Sequence, residues 1–232
     1  MSKKYLLQAK AGKIFSLRNE IDRVLIFSTL FSLGLILVRI VRTGHLTFLS
    51  LSWNLFLAWL PCLLTRTLAS QSNRFRHPLM FWALFLLWLL FIPNSFYILT
   101  DLFHLEDGEN DLLAPLWFDL ILIVSVAWNG LVMGILSLRR MEKLMESQVR
   151  IKHELLFIFP VMWLNGLGVY IGRYLRFNSW DLFLNPFELI RDIGHILVHP
   201  FEYRMAWSMI FCFSVLLTFI YLMLKRIATH LP

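Results

Sequence analysis

Long apolar runs alternate with short polar stretches along the whole chain. A helix needs about 20 mostly apolar residues to cross about 30 Å of hydrocarbon, and six runs meet that condition: 24–41, 46–64, 79–100, 114–138, 155–175 and 205–224. Each is expected to be helical, because lipid offers nothing to an exposed backbone amide. The pattern predicts an all-α fold, a polytopic transmembrane bundle of about six spanning helices. The fifth connection is long, and its Asn185-Pro186-Phe187-Glu188 reads as a helix start with Asn as N-cap and Pro in first place. From there Phe187, Ile190, Ile193 and Leu197 fall on one face, and Glu188, Asp192, His195 and His199 on the opposite one. Residues 186–198 are therefore expected as an amphipathic helix lying in the interface. The organisation expected is a basic tail (1–23), a membrane domain (24–224) and a short tail (225–232), with no internal repeat. No small-residue cleavage site follows Val41, so the first span reads as an uncleaved signal anchor.

Composition agrees with this pattern. Apolar residues make up 58% of the 232 positions and charged residues 16%, against about 45–50% and about 25% in soluble domains. Lipid must cover much of such a surface, and Phe, Trp and Tyr are plentiful enough to anchor it at headgroup level. The net charge of +7 raises nucleic acid as a partner, but the basic residues sit between apolar runs. Anionic headgroups of a bilayer answer them better.

Charge placement also orients the bundle. Lys and Arg number six in the N-terminal tail, three between spans two and three, five between spans four and five, and two at the C-terminus. The opposite side holds two, none and four. The positive-inside rule then puts both termini in the cytoplasm of a cell membrane.

Ionisable groups at membrane depth are costly and are functional candidates. Pro93 is expected to kink the third helix; if the helix resumes, Tyr97, Asp101 and His104 share one face. Counting about 1.5 Å per residue, the same outer level receives Asp119 of the fourth span, Arg173 of the fifth, and Arg176, Asn178, Trp180 and Asp181 just beyond it. Asp101, His104, Asp119 and Asp181 are the catalytic candidates. Tyr97, Arg173, Arg176, Asn178 and Trp180 are the candidates for substrate binding, and Asp119–Arg173 is the expected ion pair. That pair could equally be structural, two half-buried charges neutralising each other.

Other polar positions have simpler readings. His195 and His199 have the spacing of many zinc sites, but no Glu follows the first, and the polar side of an interfacial helix accounts for both. No metal is assigned, and any cofactor is unknown. Asn54, Asn129 and Asn165 at mid-depth are expected to hydrogen-bond between helices, and Gly130/Gly134 and Gly168/Gly172 to allow close helix approach, possible between the fourth and fifth helices. Cys62 and Cys212 read as small buried hydrophobes.

Two stretches carry a resemblance. Pro93-Asn94-Ser95-Phe96-Tyr97-Ile98-Leu99-Thr100-Asp101-Leu102-Phe103-His104-Leu105 and Gly172-Arg173-Tyr174-Leu175-Arg176-Phe177-Asn178-Ser179-Trp180-Asp181 are similar to the signatures of a bacterial membrane-protein family known as domain of unknown function 1361. The resemblance implies a multi-pass protein of a bacterial cell membrane and brings no activity with it.

Three classes of function are compatible with this reading. An enzyme acting on a lipid or cell-envelope substrate would use Asp101, Asp119 or Asp181 as base or metal holder, His104 as acid/base, and Arg173 and Arg176 as an anion clamp. A small proton-coupled transporter would use an Asp119–Arg173 gate and the mid-depth asparagines. A non-catalytic scaffold or assembly factor would bind partners through the interfacial helix. No nucleophile elbow, phosphate loop or nucleotide fingerprint is present.

Overall fold

The computed structural model describes residues 3–71, 78–105, 115–149, 153–177 and 184–230. Among them the fold is helical without strands. The order is α1 (Lys3–Thr43), α2 (Leu49–Gln71), α3 (Pro78–Tyr97), a 3-10 helix (Ile98–His104), α4 (Leu116–Val149), α5 (Leu155–Arg173), α6 (Pro186–Val198) and α7 (Arg204–His230). Among the described residues five helical stretches are long and apolar enough to cross a membrane: Glu20–Thr43, Leu79–Phe103, Leu116–Gln148, Leu155–Arg173 and Arg204–Thr229.

The remaining expected span is α2. Its 23 residues suffice in length, but Ser50, Ser52, Asn54, Thr65 and Arg66 make it less apolar than the others. It runs antiparallel to α3 over the same depth. Asn54 meets Asp101 at one end, Ser95 Oγ donates to the Ala58 carbonyl, and farther along Pro61 and Trp88 share the Ser137 hydroxyl.

Boundaries differ from expectation in two places. The segment expected as a basic tail is already helical from Lys3, and α1 ends where Gly44 turns left-handed (φ 71°) and returns its N–H to the Ile40 carbonyl, a glycine stop. In α3 the helix continues through Pro93 to Tyr97 and only then tightens. A 3-10 turn holds three residues rather than 3.6, which rotates Asp101 off the face of Tyr97, so the two do not share the expected face.

α4 is central. Its Leu138 and Met141 join Trp88, Phe96, Ile158, Met162 and Tyr221 in one core, and its Ile123 and Val126 join Leu25, Ile36, Leu51 and Ile98 in the other. Val24, Phe27, Leu30 and Phe31 of α1, and Phe211 and Phe219 of α7, point outward. So much exposed apolar surface is stable only against lipid. Cys62 is buried as expected, whereas Cys212 is exposed on this outer surface.

The two glycine pairs do not join α4 to α5. Both receive α3, from opposite sides. A Cβ at Gly130 would lie 2.8 Å from the Ser95 carbonyl oxygen, and one at Gly134 2.8 Å from the Phe96 ring. From α5, a Cβ at Gly168 would lie 2.6 Å from Pro93 Cβ, and one at Gly172 2.9 Å from the Tyr97 ring. Residues 93–98 are thus gripped between α4 and α5 at four glycine positions that have no side chain in the way.

Candidate functional site at one end of the bundle

The end of α3 and its neighbours hold most of the candidate residues. Asp101 is 1% exposed, and Asn54 Nδ2 donates to its Oδ2 at 3.0 Å. A carboxylate buried this deeply requires such donors, and the interhelical bond is the role expected for Asn54. Asn129 behaves likewise, donating from α4 to Ser32 Oγ of α1 at 2.9 Å and to the Ser28 carbonyl at 3.2 Å. Asn165 does not: its amide donates within α5, to the Val161 carbonyl.

The expected Asp119–Arg173 pair is not formed. Asp119 is fully buried and accepts two bonds from Arg39 of α1, Nε to Oδ1 at 2.7 Å and Nη2 to Oδ2 at 3.1 Å. The Arg39 guanidinium also lies 5.3 Å from the Phe48 ring centroid. Arg39 stands at the same depth as Asp119, one residue type and one level that would have suggested the pairing, but it reads in sequence as a boundary charge. Arg173 instead places its guanidinium 5.2 Å from the Phe103 ring centroid, a cation–π distance. Arg176 is exposed, with a left-handed backbone (φ 57°) uncommon outside glycine. Asn178, Trp180, Asp181 and the His104 side chain lie outside the described residues.

Beside these groups is a cavity of about 470 Å³. Its walls are α2 (Trp53, Asn54, Leu57), α3 from Leu86 to Tyr97, α5 from Leu164 to Gly172, Phe177, and Leu189 and Ile193 of α6. Of the candidate site residues Tyr97 faces it, while Asp101, Asp119 and Arg173 do not; Asp101 sits one step behind, through Asn54. The asparagines at 54 and 94 line it too. Asn94 stands in the first signature stretch, which was the one sequence signal for it. The wall is otherwise Leu, Ile, Phe, Trp, Pro and Gly.

α6 forms as expected over Pro186–Val198, but with a wider apolar surface. Leu189 and Ile196 are buried, Ile193 meets the cavity, and Phe187 and Ile190 point outward. The His195 and His199 rings stack with centroids 6.0 Å apart. Among the described residues no three His, Cys, Asp or Glu side chains converge as metal ligands.

A second polar cluster, at the far end of the bundle, escaped sequence reasoning. Buried Glu142 of α4 accepts from Arg139 (2.5 Å) and, on α7, from Tyr221 (2.5 Å) and Lys225 (2.6 Å). Lys225 also reaches Glu154 at the start of α5, which Arg226 contacts at 3.2 Å. In sequence Arg139, Lys225 and Arg226 read only as loop or tail charges and Tyr221 as part of the last span, because nothing along one chain shows that three helix ends converge.

The outward apolar surface and the spanning helices define a multi-helix integral membrane protein. Within that class, the chain belongs to the DUF1361 family, described as a protein of unknown function, whose model matches residues 53–223. The match takes in the cavity walls, Asp101, Asp119 and Arg173, and it begins after Arg39. No curated protein and no solved structure matches the chain.

Proposed function

We propose that this protein binds a lipid or lipid-linked cell-envelope molecule at the outer face of a bacterial cell membrane and acts on its polar head. One observation carries the reading: an apolar cavity inside the membrane-spanning part has Asn54, Asn94 and Tyr97 on its wall and a buried carboxylate directly behind. Ligand sites are typically of this kind, mostly apolar with a few placed polar groups. The Lys and Arg distribution supports cytoplasmic termini, which directs the Tyr97 end outward and the Glu142 cluster inward. In this arrangement α2 serves as a sixth span, and α6 lies in the outer interface with Phe187 and Ile190 in lipid.

Roles follow from position. Asp101 holds Asn54 toward the ligand as a positioning residue, and His104 serves proton transfer. Arg173, in the last turn of α5, and Arg176, Asn178, Trp180 and Asp181, which follow it in sequence, receive an anionic or hydroxylated head. Asp119, locked to Arg39, takes a structural role. A scaffold would have no use for the cavity, and transport would call for a polar path in place of apolar walls.

The test is mass spectrometry of lipids that co-purify with the wild type and with Asp101→Asn and Asn94→Leu variants. Wild type should enrich one lipid class over the host membrane, and Asn94→Leu should lose that enrichment. Asp101→Asn should accumulate a species with an unprocessed head. Lipid profiles identical to the host membrane in all three would refute the proposal.

A further inference from the structure

The cavity has dimensions that specify its occupant. Along α3 it runs from Leu86 to Tyr97, eleven residues at about 1.5 Å each, or about 16 Å. That is half of the about 30 Å hydrocarbon thickness, the depth of one leaflet. Its volume sets the amount of hydrocarbon. An apolar cavity of about 150 Å³ takes up one benzene, so on that scale about 470 Å³ admits about eighteen carbons. That is the hydrocarbon of one chain of ordinary length.

The rim shows the route. Trp53, Leu86, Leu90 and Leu164 line the cavity and are all exposed, so along this side of the bundle the cavity is an open groove with an apolar rim. The opening is therefore sideways, into the leaflet, and not only along the membrane normal. Asn54, Asn94 and Tyr97 stand at the shallow end, whereas the deep end at Leu86, Leu89 and Leu90 carries no polar side chain, the polarity of a lipid in that leaflet.

We infer that the cavity takes one hydrocarbon chain of a lipid from the leaflet at the Tyr97 end, entering sideways between α2 and α5 onto the face of α3, with its tip at Leu86 and its head at Asn94 and Tyr97. Any second chain stays in the bilayer. The inference rests on the lipid-binding reading and specifies how the lipid is held.

Photo-crosslinking on the unaltered protein tests it. The protein is placed in nanodiscs doped with phosphatidylglycerol carrying a diazirine either at the tip of one chain or beside the glycerol, and labelled peptides are mapped. The tip probe should label Leu86–Leu90 several-fold above Phe211 and Phe219, which face ordinary lipid on α7, and the glycerol-proximal probe should shift labelling to Asn94–Tyr97. Leu89→Trp should reduce tip labelling of α3 and leave Phe211 unchanged. Tip labelling no higher at Leu86–Leu90 than at Phe211, or equal labelling by both probes, overturns the inference. The head-group comparison of wild type with Asp101→Asn can still succeed in that event, which separates failure of the chain assignment from failure of the functional reading.

Discussion

Arg39 and Asp119 form a two-pronged ion pair between α1 and α4, with Nε to Oδ1 at 2.7 Å and side chains 3% and 0% exposed. Neither charge has water to turn to. Each is tolerable only because the other is there, so the pair fixes the rotation of α1 against α4 rather than adding much net stability.

Removing one partner should therefore cost far more than removing both. Arg39→Met or Asp119→Leu alone is expected to destabilise by about 3–5 kcal/mol, since a buried charge is left uncompensated, with the double variant recovering much of it. Thermal unfolding in detergent across the double-mutant cycle gives the coupling. Strictly additive losses would contradict the pairing.

The glycine grip on α3 makes a graded prediction. A Cβ at Gly168 meets Pro93 at 2.6 Å, whereas one at Gly34 meets nothing within 4 Å. Gly168→Ala should destabilise by about 1–3 kcal/mol through overpacking. Gly34→Ala should be neutral or stabilising by up to about 1 kcal/mol, the helix-propensity difference. Similar melting temperatures for the two would show that α5 and α3 are not in tight contact.

At the other end, Glu142→Ala leaves Lys225, 11% exposed, without one of its two carboxylates. A loss of about 3–5 kcal/mol is expected. Tyr221→Phe removes a hydrogen bond to a charged group and should cost less, about 1.5–3 kcal/mol. Denaturant titration followed by Trp fluorescence measures both, and the ranking is the decisive result.

Topology is open to a direct check. A reporter fused after Pro232 should be active only in the cytoplasm, and one inserted within residues 106–114 only outside, as the Lys and Arg distribution requires. An external signal from the Pro232 fusion would invert the bundle and move the cavity to the inner leaflet.

Much of this protein was legible along the chain. Element type followed from apolar run length, because lipid excludes any spanning structure with unpaired amides. α6 was legible to the residue, since its Asn-Pro start and two-faced pattern are local. Depth was legible too, because it is a count along a helix: Asp101, Asp119 and Arg173 each lie near the same end.

What only the tertiary structure decided is the direction each side chain takes at that depth. Asp119 turned to Arg39 on α1 and not to Arg173. The 3-10 turn swung Asp101 to Asn54 while Tyr97 stayed on the cavity. The glycines of α4 and α5 sought α3 rather than each other, and Glu142 found Tyr221 and Lys225 from a distant part of the chain. A rise of about 1.5 Å per residue belongs to one helix alone, so sequence reports it. Azimuth is set by which neighbouring helix packs where, and that depends on all of the side chains together.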